Sequence, residues 1–117
     1  MSVVTVHEIE RGIATLGSKG ATAKAARLKV WLAGLLDGFG DRILGLDLQA
    51  AVLSGHLEAR ALAIGHAPGM ADAMVAGIAK SHDLVVITRN GRHFQPFGIA
   101  VLSPEEAARR QEGNLEP

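Results

Sequence analysis

From Met70 to Ala79, apolar or small residues fall on every side of a helix, broken only by Asp72 near its front. Such a segment predicts a helix buried over most of its surface. The next run, Leu84-Val85-Val86-Ile87-Thr88, is short, continuous and rich in β-branched residues, with turn-forming residues on both sides. It predicts a strand covered on both faces, as in a parallel sheet. Thr88, Arg89 and Asn90 then fall at the carboxyl end of that strand, where ligands bind in open α/β sheets.

The rest of the chain alternates the same two patterns. Ser2 to Thr5 predicts a very short opening strand. Thr5-Val6-His7-Glu8 matches a capping box, and Val6, Ile9, Ile13 and Leu16 follow at helical spacing. The expected helix runs from Val6 to Leu16 and is closed by Gly17 and Gly20. A second helix from Ala21 carries Leu28, Trp31, Leu32, Leu35 and Leu36 on one stripe, serving as core or as a pairing surface, and stops at Gly38-Phe39-Gly40. Arg42 to Leu46 predicts a short strand, Asp47 a cap, and Leu48 to Gly65 a helix. Ala67-Pro68-Gly69 is the loop into the helix that carries Asp72. Beyond the Asn90-Gly91 turn, Phe94 and Phe97 flank Pro96, and Ile99 to Leu102 predicts a last strand. Ser103-Pro104-Glu105-Glu106 is a second capping signal, with proline at the first helical position. The charged tail from Ala107 to Pro117 is expected to fray. Alternating helices and strands predict an α/β fold with a short, mostly parallel sheet flanked by helices.

A length of 117 residues suits one domain with a real core. Twelve basic residues balance twelve acidic ones, so no overall positive field advertises nucleic acid, although a local patch can still bind it. Cysteine is absent, which excludes disulfides and thiolate metal sites and fits a reducing cytoplasm. No apolar run is long enough to span a bilayer, and the N-terminus lacks the pattern of a signal peptide.

Three familiar motifs fail on their spacing. His7-Glu8-Ile9-Glu10-Arg11 has arginine where a zinc-protease helix needs its second histidine. Gly38-Phe39-Gly40-Asp41-Arg42-Ile43 lacks the third glycine of a dinucleotide fingerprint. No serine sits on a nucleophile elbow. The carboxylates are more informative. Glu8 reads structurally as the capping partner of Thr5, and Asp72 as a first-turn acid favoured by the helix dipole. Both also lie at the front of a helix just past a buried turning point. Two carboxylates brought together repel, and a divalent cation relieves that repulsion; carboxylate and water ligands suit Mg²⁺ or Mn²⁺. Thr88 and Asn90 add neutral oxygens. Such a site supports phosphodiester hydrolysis.

Three blocks, in order, carry a resemblance. Ser2 to Ile13 resembles the second conserved block of PIN-domain toxins of the VapC and FitB type. Ala71-Asp72-Ala73-Met74-Val75-Ala76 resembles their third. Thr88-Arg89-Asn90-Gly91-Arg92-His93-Phe94, with Phe97 to Pro104, looks like their C-terminal block. The resemblance implies a PIN-like domain over residues 1–104, followed by a charged C-terminal helix or tail over 105–117. It also implies a Mg²⁺-dependent ribonuclease with clustered acids, inhibited by a cognate antitoxin and commonly dimeric. Glu8 matches the family's glutamate and Asp72 its central aspartate. The fourth acidic position falls on Asn90 in one alignment and on His93 in another. The family's opening strand, with its Asp-Thr-Asn-like motif, has no counterpart here, and Asp37, Asp41, Asp47 and Asp83 lie in the wrong places to replace its aspartate. The sequence thus looks like a PIN domain without its N-terminal segment.

The expected function is that of a cytoplasmic, metal-dependent endoribonuclease toxin. Glu8, Asp72 and Asn90 are its expected catalytic residues, with Glu8 and Asp72 as ligands of Mg²⁺ or Mn²⁺. Thr88 and His93 support the site. Arg89 and Arg92 are candidates for contact with RNA phosphates, although Arg92 reads more readily as solvated surface charge. Expected partners are RNA, an antitoxin protein and a second copy of the chain. The competing reading is a catalytically inactive PIN fragment that binds an antitoxin or dimerises.

Overall fold

Ser2 provides the first cap of the chain. Its Oγ accepts the Thr5 N–H at 3.2 Å, and α1 (Val3–Ser18) begins at once. The computed structural model describes residues 1–115 and falls into two units, Met1–Leu46 and the chain from Asp47 onward.

In the first unit α1 is followed by α2 (Thr22–Phe39) and a 3₁₀ turn at Gly40–Arg42. The expected opening strand reduces to one parallel bridge between Ser2 and Leu44, in which the Val3 N–H donates to the Leu44 carbonyl at 2.8 Å. Because Ser2 takes the cap, Thr5 lies inside the helix and the expected Thr5–Glu8 capping box does not form; Glu8 sits further along α1, half-buried. The expected strand over Arg42–Leu46 is likewise confined to Leu44. Arg42 is held back against the end of α2, its guanidinium donating to the Gly38 carbonyl at 2.9 Å and lying 5.3 Å from the centre of the Phe39 ring.

Ile13 of α1 is buried with Ala25 and Leu32 of α2, and Ile9, Leu16, Leu28, Leu35 and Leu36 pack around them. The predicted stripe on α2 therefore divides. Leu28, Leu32, Leu35 and Leu36 share the core face, whereas Trp31, one residue and about 100° away, remains 52% exposed.

The second unit starts as its sequence predicts. Asp47 Oδ1 accepts the Ala50 N–H at 2.8 Å and opens α3 (Leu48–Ala63). The helix stops two residues short of the predicted Gly65, which turns the chain at φ +91°. Next comes α4 (Met70–Ser81), and the two helices meet through small side chains: Ala50, Ser54 and Ala61 on α3, Ala73, Ala76 and Gly77 on α4, all buried. Burial of Ala73, Ala76, Gly77, Ile78 and Ala79 matches the near-continuous small and apolar run read from the sequence.

Two short strands, β1 (Val86–Ile87) and β2 (Val101–Leu102), pair in parallel with Val86 opposite Val101. Between them lie α5 (Gly91–Phe94) and a 3₁₀ turn at Gln95–Phe97. Phe94 and Phe97 are buried with their rings 6.2 Å apart, in one cluster with Leu57, Ala61, Ala73, Ala76, Ala79 and Val86. The parallel α/β class is as expected; the strands are shorter than the predicted Leu84–Thr88 and Ile99–Leu102. Coverage of both faces also fails. Val86 is buried, but Leu84, Val85 and Ile87 are 51%, 40% and 57% exposed. Side chains alternate across a strand, and the cluster covers only the face that Val86 presents.

The last helix, α6 (Pro104–Leu115), covers most of the stretch read as a charged C-terminal helix or tail. A reciprocal cap starts it. Ser103 Oγ accepts the Glu106 N–H at 3.1 Å, and Glu106 Oε1 accepts the Ser103 N–H at 3.0 Å. The end of the predicted tail, residues 116 and 117, lies outside the described residues. No described helix is long and apolar enough to cross a membrane.

Candidate functional site

Asp72 is the third residue of α4. Gly69 caps that helix without a side chain to occupy the free N–H groups, so the first turn favours a carboxylate. The Asp72 side chain is 29% exposed and opens onto a cleft of about 290 Å³. His66, Pro68 and Gly69 form one part of the lining, and Arg92, His93 and Pro96 another.

His93 is the titratable neighbour of Asp72: its Nδ1 stands 3.8 Å from Asp72 Oδ2, too far for a hydrogen bond. Local geometry delivers it there. The Thr88 N–H donates to the Leu102 carbonyl at 3.0 Å, which ends the parallel pairing. Thr88 Oγ1 then accepts the Asn90 N–H at 3.0 Å, and the Asn90 carbonyl accepts the His93 N–H at 3.0 Å. Phe94, buried beside His93, anchors α5 in the apolar cluster. Of the two positions offered for the fourth acid, His93 faces Asp72, whereas Asn90 takes part through its backbone and its side chain is exposed.

Thr88 and Arg89 line a different depression, of about 390 Å³, together with Gln95, Ser103 and Glu106. There the Arg89 guanidinium pairs with Glu105 at 3.0 Å. A hydrogen bond from its own backbone, followed by the charge of Arg89, holds the Glu105 carboxyl below its ordinary range. The Ser103 backbone N–H, and then the Ser103 hydroxyl, do the same for Glu106. Arg89 is therefore already engaged, while Arg92, the other predicted phosphate contact, lines the cleft of Asp72. Glu8 belongs to the first unit, on α1.

Among the described residues no three His, Asp or Glu side chains gather as a ready-made metal cluster. The donors at Asp72 nevertheless fit a hydrated dication: Mg²⁺ keeps several waters and commonly binds through one or two carboxylates. Asp72 is partly shielded, reachable from the cleft, and lies beside a nitrogen donor. His66 was not singled out by the sequence pattern. Its place in the lining follows from the loop that reverses the chain between α3 and α4, and its position just ahead of Ala67-Pro68-Gly69 is the only signal for it.

No family model matches the chain, but individual proteins do. It is 32% identical over 109 residues to the plasmid stability protein StbB of Pseudomonas syringae pv. tomato, spanning 92% of this chain and 76% of that one. The VapC ribonuclease Y4jK of Sinorhizobium fredii is 31% identical over the same shares. Among solved structures, FitAcB from Neisseria gonorrhoeae superposes with a TM-score of 0.72 at 31% identity, covering 89% of this chain and 73% of that one. DNA-bound VapBC from Salmonella typhimurium gives 0.66 at 30% identity, covering 87% and 72%. Sequence and fold agree over most of both partners in each comparison, and the chain belongs to the PIN-domain toxins of the VapC and FitB type.

Proposed function

We propose that this chain acts as the ribonuclease toxin of a toxin–antitoxin pair, with Asp72 as a carboxylate ligand of Mg²⁺ or Mn²⁺. The observation that supports this best is the cleft at α4, where a partly shielded carboxylate shares one lining with the basic side chain of Arg92, in a chain whose relatives include a protein named as a VapC ribonuclease. A divalent ion bound there would supply an activated water and a counter-charge for the phosphate. Arg92 offers a planar fork of donors to phosphate oxygens. Thr88 and the Asn90 backbone hold the turn that sets α5 and His93. Glu8 keeps the role the family resemblance implies, that of a carboxylate ligand.

The partners follow the same reading. The solved neighbours FitAB and VapBC are two-component assemblies bound to DNA, and FitB is named as a toxin, which supports a cognate antitoxin for this chain. Trp31 and Val30, exposed on α2, suit pairing with that protein or with a second copy.

The test is cleavage of RNA in Mg²⁺ or Mn²⁺ by the wild type, Asp72→Asn and Glu8→Gln purified in parallel. Cleavage by the wild type that falls to background in both variants supports the reading. Equal cleavage by all three identifies a contaminant. An inactive wild type that still captures an antitoxin supports the binding-module alternative.

A further inference from the structure

We infer that His93 is a further protein ligand of the ion held by Asp72, and that it biases the site toward dications that accept nitrogen, such as Mn²⁺ and Co²⁺, over Mg²⁺. This inference rests on the reading of Asp72 as a metal ligand.

The geometry comes first. Asp72 Oδ2 and His93 Nδ1 are 3.8 Å apart and face one cleft from two different elements, the first turn of α4 and the short helix α5. That separation is too long for a hydrogen bond between them. Two donors at about 2.1 Å from one ion stand roughly 3.0 to 3.5 Å apart, depending on the angle between them. A movement of a few tenths of an ångström at an exposed ring therefore brings both donors onto one centre, and the His93 side chain is 64% exposed and free to make it. Its backbone is not free: the N–H of His93 is bound to the Asn90 carbonyl, and Phe94 beside it is buried. The imidazole is thus tethered within reach of the carboxylate.

Donor chemistry then gives the selectivity. Mg²⁺ is hard and takes oxygen ligands almost exclusively, whereas imidazole suits first-row transition ions, whose affinity for such donors rises from Mn²⁺ toward Cu²⁺. An imidazole nitrogen added to carboxylate oxygens makes a mixed set that Mg²⁺ uses less well than an all-oxygen one. His66 also lines the cleft, but among the described residues no three His, Asp or Glu side chains gather closely enough to share one ion, so the change from oxygen to nitrogen at His93 carries a large share of the preference.

The experiment is calorimetric titration of the full chain with Mg²⁺ and with Co²⁺, together with the visible absorption of bound Co²⁺. Wild type, His93→Phe, His93→Asp and Asp72→Asn are compared, and only binding that Asp72→Asn removes is counted. The expected result is a Co²⁺ over Mg²⁺ preference that drops at least about tenfold in His93→Phe, with a change in the Co²⁺ spectrum. His93→Asp should also tighten Mg²⁺. An unchanged preference and spectrum in His93→Phe overturns the inference while leaving the Asp72 site standing, even if that variant loses cleavage. Identical isotherms for Asp72→Asn and wild type remove the metal site itself, and the inference with it. Substitution at an exposed ring spares the fold, and His93→Asp gives an independent second reading.

Discussion

Gly77 of α4 passes Ser54 of α3 so closely that a Cβ at Gly77 would stand 2.9 Å from the Ser54 Cβ, 2.8 Å from its backbone nitrogen and 2.6 Å from the Ala50 carbonyl oxygen. Two of these three obstacles are backbone atoms, which cannot rotate aside. Alanine raises helix propensity by about 1 kcal/mol over glycine, but overpacking of this kind costs roughly 1–3 kcal/mol. Gly77→Ala should therefore lower stability, read as an earlier midpoint in urea unfolding followed by circular dichroism. A midpoint equal to or above that of the wild type would show that α3 and α4 separate without penalty.

Leu32 and Trp31 are adjacent on α2 and differ in burial, 2% against 52% exposed. Leu32→Ala removes atoms from the centre of the α1–α2 core and should cost about 2–5 kcal/mol. Trp31→Ala should cost about 0.5 kcal/mol or less. Denaturant melts of the two variants check this directly. The single tryptophan also provides a probe: its emission should be that of a wet indole in the isolated chain and shift to the blue when a protein partner covers α2.

The cap of α6 makes a pH-dependent prediction. The Glu106 carboxyl is held below its ordinary range by the Ser103 N–H and hydroxyl. A carboxyl with a depressed folded-state pKa stabilises the fold above its unfolded pKa and loses that contribution as pH falls through the folded value. Helicity at α6 should therefore weaken on acidification in the wild type, and this pH dependence should be smaller in Glu106→Gln. Ser103→Ala removes the other half of the reciprocal cap and should cost about 1 kcal/mol at neutral pH. Identical acid titrations of wild type and Glu106→Gln would show that Glu106 does not contribute.

Asp72→Asn should abolish the rise in melting temperature that a divalent ion produces, with little change in the metal-free melt. An ion at a hundred times its dissociation constant stabilises by about 2.7 kcal/mol, so the loss is readily measured by calorimetry. Half-burial of the side chain at the mouth of a cleft, rather than in the core, is the reason to expect an intact fold. An undiminished shift in the variant would place the ion elsewhere.

What the sequence determined by itself are the features that depend on near neighbours. Asp47 caps α3, Ser103 and Glu106 cap α6, and the small residues from Ala73 to Ala79 mark a helix buried against another; each follows from spacings of about four residues or fewer. The three family blocks, and with them Asp72, were also legible, because motif order survives in a linear reading. The tertiary structure decided the rest. Ser2 rather than Thr5 took the first cap. The length of the strands was set by how far β1 and β2 stay in register, and their exposure by the single face that the apolar cluster covers. A turn pinned at Thr88 brought the His93 imidazole to 3.8 Å from Asp72, a neighbour that spacing alone does not single out from Asn90. The physical reason is common to all of these: hydrogen-bond partners and burial are set by contacts between residues far apart in the chain, and local patterns carry no record of which of two adequate neighbours will be brought close.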